Sequence, residues 1–245
     1  MWDVLEPGDT AIIYASISRV CREKNWTPKD VLDSLLNKVS PDGTLLFPLF
    51  HFGWCHGESF DIRYTPSNNG ILSETARMHP EAIRTTNPIV GFAVIGKHAE
   101  DFKRLDNIDG FGSGSPFELV AELDGKSVAV DLPEYMSMTH YHYIEWLHSA
   151  PYRFTKSFTS LYTDENGKTE QRTYDLFVRK KGVVTYIDLM GENLWAKGFY
   201  KGNRPGIGDG MRSIKVGDLI RNITVTIQSG RAKGLLYRER KPFDK

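Results

Sequence analysis

The chain has 245 residues, and its 31 acidic and 31 basic side chains cancel to no formal net charge. Apolar residues at 40% and charged residues at 25% are the balance of an ordinary globular protein, long enough for a sizeable core. Holding a long polyanion takes a basic surplus, so nucleic acid is set aside as a partner. A small basic patch for one phosphorylated ligand stays open, because net charge says nothing about clustering.

Cys21 and Cys55 are the only cysteines. They are too few for a disulfide framework and form no CxxC pair, so reduced thiols are expected. Met1–Asp9 has neither a basic n-region nor an apolar core, so no signal peptide is expected. No apolar run approaches the roughly 20 residues of a membrane span. The expectation is a cytoplasmic protein that is not inserted in a membrane.

Along the chain, Glu6-Pro7-Gly8-Asp9 makes a turn into the apolar run Thr10–Ser16, a buried strand. Thr27 caps a helix with Pro28 in its first turn and Asp30 at the capping-box position. Val31, Leu32, Leu35, Leu36 and Val39 continue it, and Pro41-Asp42-Gly43 ends it before a second buried strand, Thr44–Phe50. Strand, helix and strand in this order predict a parallel crossover unit. His51–Asn69 is irregular and aromatic. Helices are expected at Gly70–Met78, Ser115–Leu123, His140–His148 and Asp188–Lys197, and a helix start at Val216–Arg221. Strands are expected at Val90–Ile95, Ser127–Leu132 and Ser213–Val216, with a hairpin of Phe158–Tyr162 and Thr169–Val178 turning at Asp164–Gly167. The fold expected is one α/β domain over residues 1–245, with a mixed central sheet, flanking helices and a more antiparallel C-terminal third.

Three stretches hold chemistry. In Thr139-His140-Tyr141-His142-Tyr143-Ile144-Glu145, helical spacing places Thr139, His142 and Glu145 on one face. A hydroxyl, an imidazole and a carboxylate then reach one substrate, and imidazole is the side chain suited to taking a proton near neutral pH. Spacing alone leaves an ordinary helix with incidental histidines as the plainer reading. Gly110–Pro116 reads as a phosphate cradle at a helix start or as a plain loop, since the dinucleotide spacing fails. His51–Ser67 contains His51, His56, Glu58 and Asp61 at irregular spacing, which fits a ligand-binding loop better than a metal site. No G-x-S-x-G elbow, P-loop or HExxH helix occurs.

Taken in order, these pieces resemble the aminoglycoside 3-N-acetyltransferase family from Pro7 to about Leu219. Gly8-Asp9-Thr10 is similar to its opening strand, and Asp42–Pro48 to its G-T-L strand. Phe60-Asp61 with Thr65-Pro66-Ser67 and Gly70 resembles its F-D and T-P-S segment. Gly112 with Gly114-Ser115-Pro116 resembles its G-x-G-S-P loop. Thr139, His142 and Glu145 fit its T-x-x-H-x-x-E pattern, and Gly191-Glu192, Gly206 and Gly208 its late glycine-rich part.

The resemblance implies acyl transfer from acetyl-CoA or a longer acyl-CoA to a small-molecule amine, by direct attack in a ternary complex and without a metal. It makes His142 the general base, Glu192 or Asp188 its orienting acid, and Thr139 or backbone N–H groups the stabilisers of the thioester oxyanion. Coenzyme A would be held by Ser16, Ser115, Gly114, Thr65 and Ser67. Asp61, Glu145, His140, Tyr143 and Asn87 would face the amine substrate, with Glu145 alternatively bracing His142 and His140 forming a pocket wall. The chain departs from the antibiotic-modifying pattern at Tyr14-Ala15-Ser16 and at Arg84-Thr85-Thr86-Asn87-Pro88. Its neutral charge also departs from the acidic cleft that a polycation favours. These departures resemble a branch that acylates nucleotide-linked amino deoxysugars for surface polysaccharides, such as lipopolysaccharide. The alternatives are an antibiotic-resistance acetyltransferase and a non-catalytic CoA-binding protein. A homodimer is compatible with all three.

Overall fold

The N-terminal strand–helix–strand unit forms as the pattern predicts. In the computed structural model, which describes residues 2–240, β1 (Thr10–Ala15) leads through α1 (Ser18–Lys24) and α2 (Pro28–Val39) to β2 (Thr44–Pro48). There follow β3 (Phe60–Asp61), α3 (Ile71–Arg77), β4 (Ile83–Arg84), β5 (Phe92–Gly96), α4 (Ala99–Lys103), α5 (Pro116–Glu122) and β6 (Lys126–Val130). Then come α6 (Glu134–Ser137), α7 (His140–Leu147), β7 (Arg153–Thr163), β8 (Thr169–Arg179) and β9 (Val183–Thr185). The chain continues with α8 (Asp188–Ala196), β10 (Lys201–Gly202), β11 (Met211–Lys215), α9 (Val216–Gln228) and β12 (Tyr237–Glu239).

The central sheet has seven strands in the order β10-β11-β6-β1-β2-β5-β4. β1 runs parallel to both β2 and β6, whereas β5, β4, β11 and β10 are antiparallel additions, so the sheet is mixed. Alternate side chains feed two cores: Ile12, Tyr14, Leu46 and Ala129 on one face, Ala11, Ile13, Leu45, Phe47, Val128 and Val130 on the other. A strand covered on both faces reads as a continuous apolar run, which is why β1 and β2 are legible. The cap of α2 is as expected. Thr27 Oγ1 accepts from the Asp30 N–H and the Asp30 carboxylate accepts from the Thr27 N–H, satisfying two orphan donors of the first turn.

β7 and β8 form a long antiparallel hairpin with β3 alongside β7. β7 begins at Arg153 rather than Phe158. Residues 154–157 are exposed, so a ribbon wet on both sides shows no alternation there. Among the described residues, no helix is long and apolar enough to cross a membrane. Cys21 and Cys55 are free thiols.

Candidate active site

A cavity of about 520 Å³ opens where the central sheet meets the β7–β8 hairpin. Phe52 follows β2 and Tyr135 follows β6, so two of its walls lie just beyond the carboxyl ends of the parallel strands, the usual place for a ligand in such sheets. Phe111, Leu176 and Phe177 add apolar surface. The polar lining consists of His142, Arg153, Arg179 and Thr185, and among the described residues no aspartate or glutamate lines the cavity.

His142 sits in the first turn of α7, its N–H donating to Thr139 O at 2.9 Å. Its ring packs edge-on against Phe111 at 5.4 Å, and 23% of the side chain remains exposed. Nδ1 lies 2.8 Å from Glu145 Oε2, on the same helical face, and Glu145 is fully buried. Tyr152 Oη donates to Glu145 Oε1 at 2.9 Å, and Arg153 Nε stands 2.6 Å from Oε2 as an ion pair. Arg153 Nη1 donates to Phe177 O at 3.0 Å, while Nη2 lies 2.8 Å from His142 Nδ1 and 3.4 Å from Thr185 Oγ1. Nδ1 can serve only one of these neighbours: it donates to Glu145 or accepts from Arg153.

Burial first, and then the Arg153 cation, push the His142 imidazole below its ordinary pKa of 6.5 against the opposing pull of Glu145. Burial alone would raise the Glu145 carboxyl, but Arg153, His142 and Tyr152 together outweigh it and hold the group ionised below its ordinary range. The result is a neutral imidazole backed by a carboxylate, with Nε2 making no hydrogen bond among the described residues.

The other expected residues divide sharply. His140 is not a pocket wall. It is wholly buried, Nε2 donating to Phe117 O at 3.2 Å and Nδ1 accepting from Ser127 Oγ at 3.0 Å, and burial lowers its pKa to about 4. Tyr143 is buried with its ring edge-on to His140. Asn87 is also fully buried and shapes a turn: its Oδ1 accepts from the Ile89 and Val90 N–H groups, and its Nδ2 donates to Asn107 O. Neither lines the cavity. Glu145 cannot face a substrate, since its partners cover both oxygens.

Glu192 does not orient His142. It pairs with Arg204 at 2.6 Å and accepts from the Gly206 N–H at 2.8 Å, tying the glycine-rich segment to α8. Asp188 accepts from the Tyr135 N–H at 3.2 Å and so acts on a cavity wall rather than on the imidazole. Thr139 caps nothing with its side chain and stands beside the buried Tyr14 hydroxyl. Asp61 is engaged by Arg63 at 2.8 Å.

The expected cofactor loop is a helix cap. Ser115, 1% exposed, accepts weakly from the Glu118 N–H at 3.4 Å, while Glu118 Oε2 accepts from the Gly114 N–H at 2.6 Å and from Ser113 Oγ. The Gly114 N–H that a phosphate cradle would offer is thus already given to the chain's own carboxylate. Thr65 Oγ1 accepts from the Asp61 N–H within the loop, and Ser67 Oγ donates to Pro48 O and so ties the loop to the end of β2. Arg84 Nη1 pins that loop through Ile62 O and Thr65 O. Ser16 is half-buried at the carboxyl end of β1, with its N–H given to Val130 O. Among the described residues no group of three His, Cys, Asp or Glu stands together as a metal site.

Tyr152, Arg153 and Arg179 lie outside every motif of the sequence. Counting outward from the four-residue turn Asp164–Gly167 would set Arg153 across from Val178. In the structure Thr163 pairs with Thr169, and this turn, longer by one residue, sets Arg153 directly across from Arg179, a like-charge pair that needs an explanation.

The aminoglycoside 3-N-acetyltransferase family matches residues 12–204. Among solved structures, the aminoglycoside acetyltransferase AAC(3)-Xa has a TM-score of 0.76 at 21% identity, over 93% of this chain and 88% of that one. AAC-IIIb in binary complex with CoASH has a TM-score of 0.74 at 23% identity, over 97% and 94%. AAC-VIa bound to sisomicin has a TM-score of 0.78 at 17% identity, over 95% and 96%. These likenesses establish the shared fold, and the family match covers most of the chain. The chain therefore belongs to the aminoglycoside 3-N-acetyltransferase family, as an acyl-CoA-dependent N-acyltransferase with coenzyme A as co-substrate.

Proposed function

We propose that this chain moves an acyl group, acetyl in the simplest case, from coenzyme A to the amine of an amino sugar, with His142 as general base and Glu145 as its orienting partner. The observation that carries this reading is the 2.8 Å contact of His142 Nδ1 with a buried carboxylate, beside a cavity large enough for a sugar. The amine arrives as an ammonium ion and must shed a proton to attack the thioester carbon. With Nδ1–H donated to Glu145, the strongest acceptor in reach, Nε2 carries the lone pair that takes it. The positive charge that develops on the ring is then met by Glu145, while Arg153 prevents that carboxylate from taking the proton itself.

The family and the sisomicin-bound relative favour an aminoglycoside as the amine. A second reading, an amino deoxysugar linked to a nucleotide, is favoured by the cavity lining. Arg153 and Arg179, with no carboxylate among the described lining residues, do not suit a polycation, whereas guanidinium groups suit phosphates and aromatic walls suit a base. A thiol-release assay separates the two. It would pair acetyl-CoA and longer acyl-CoAs with gentamicin-like aminoglycosides and with dTDP- and GDP-linked amino sugars. Turnover confined to one class of amine assigns the substrate. Absence of turnover with every amine, with coenzyme A still binding by calorimetry, overturns the enzymatic reading in favour of a CoA-binding protein.

A further inference from the structure

One cation of the cavity is left unused by the acyl-transfer chemistry. β7 and β8 pair so that Arg153 and Arg179 face each other directly across the ladder. Like charges in that position repel, so each needs compensation. Arg153 has it in Glu145 and Phe177 O. Arg179 does not. Its guanidinium makes no hydrogen bond or ion pair among the described residues, and its side chain is exposed in the cavity. Its charged neighbours are Arg153, Arg240 and Glu145, and Glu145 is already shared between Arg153 and His142.

We propose that Arg179 anchors an anion subsite, which holds a phosphate or carboxylate group of the amine substrate while His142 takes a proton from the amine. This deepens, and rests on, the acyltransferase reading above. The anion belongs to the amine substrate because of distance along the ligand. Arg179 faces Arg153 across the ladder, Arg153 Nη2 lies 2.8 Å from His142 Nδ1, and both Arg179 and His142 line the same cavity, so Arg179 stands near the imidazole, where the thioester must sit. The phosphates of coenzyme A are at the far end of the extended pantetheine arm. A guanidinium fork presents two parallel N–H donors to such a group.

The test is calorimetric binding of inorganic pyrophosphate to the full chain, free and saturated with coenzyme A. The variants are Arg179→Gln, Arg179→Lys and, as a control of equal charge loss, Lys156→Gln on the exposed part of β7. Thermal melting establishes that each is folded. The proposal expects binding in both states, a loss of about tenfold in Arg179→Gln, an intermediate loss in Arg179→Lys and no change in Lys156→Gln. Absence of binding to the wild type overturns it, as does an equal loss in Arg179→Gln and Lys156→Gln. Displacement of pyrophosphate by coenzyme A also overturns it, by giving Arg179 to the co-substrate. If no amine is ever acylated while binding still depends on Arg179, the acyltransferase reading has failed and the anion subsite stands.

Discussion

His142 Nδ1 meets two groups that ask opposite things of it. Glu145 draws its proton, and Arg153 offers one. Removing the cation by Arg153→Gln leaves the imidazole beside a buried, uncompensated carboxylate and raises its pKa. The base works only when neutral, so activity is lost as pH falls through the imidazole pKa. In the wild type the acid limb of kcat/KM therefore lies below the ordinary 6.5, and in Arg153→Gln it moves upward. A pH–rate profile of both proteins checks the direction, and a downward or absent shift contradicts it. His140 behaves differently. It stays neutral in the fold down to about pH 4, whereas the unfolded chain takes the proton near 6.5. Its contribution to stability is therefore complete above about 6.5 and lost as pH falls from there toward 4. His140→Ala strips partners from Ser127 and Phe117 O and costs about 1–3 kcal/mol. Urea melting should show that loss, while kcat below the melting range stays near the wild-type value.

At the scale of elements, α7 is held in register by a buried network beneath it. Glu134 at the start of α6 accepts from Tyr141 of α7 at 3.0 Å and from Tyr200 at 2.5 Å, and pairs with Arg212 of β11 at 3.2 Å. Glu134 and Arg212 are each 1% exposed. Glu134→Ala strands the guanidinium without its counter-charge and costs about 3–5 kcal/mol, readable by denaturant melting. A loss under 1 kcal/mol would mean that water replaces the carboxylate freely. Gly191 of α8 is required here by close approach, since a Cβ would stand 2.7 Å from Glu134 Cδ. The parallel unit β1–α2–β2 was legible because burial on both faces and a capping box leave local signatures. Thr139, His142 and Glu145 were legible as a spaced pattern. The partners of that pattern were not. Arg153 opens a strand with no periodic signal and Tyr152 sits in the turn before it, and the role of the Gly114-Ser115 loop depends on Glu118 bending back onto it. Burial decides between wall and core for His140 and Asn87, and nothing local in the sequence reports it.

Across the whole molecule, zero net charge says nothing of how charge is placed locally. Arg153 and Arg179 line the cavity beyond the parallel strands, and Glu145, the acid that pairs with Arg153, is buried behind His142. The segments that follow β2 and β6 supply Phe52 and Tyr135 as two of the cavity walls, and the β7–β8 hairpin supplies the guanidinium wall. The His142–Glu145 pair lies on α7 alone, and β7 completes it with Arg153. Its most direct test is thiol release from acetyl-CoA by wild type and His142→Asn, with coenzyme A affinity measured on the same samples. The account predicts a fall in turnover of roughly a hundredfold or more, with coenzyme A binding nearly intact. Turnover in His142→Asn equal to that of the wild type would contradict it.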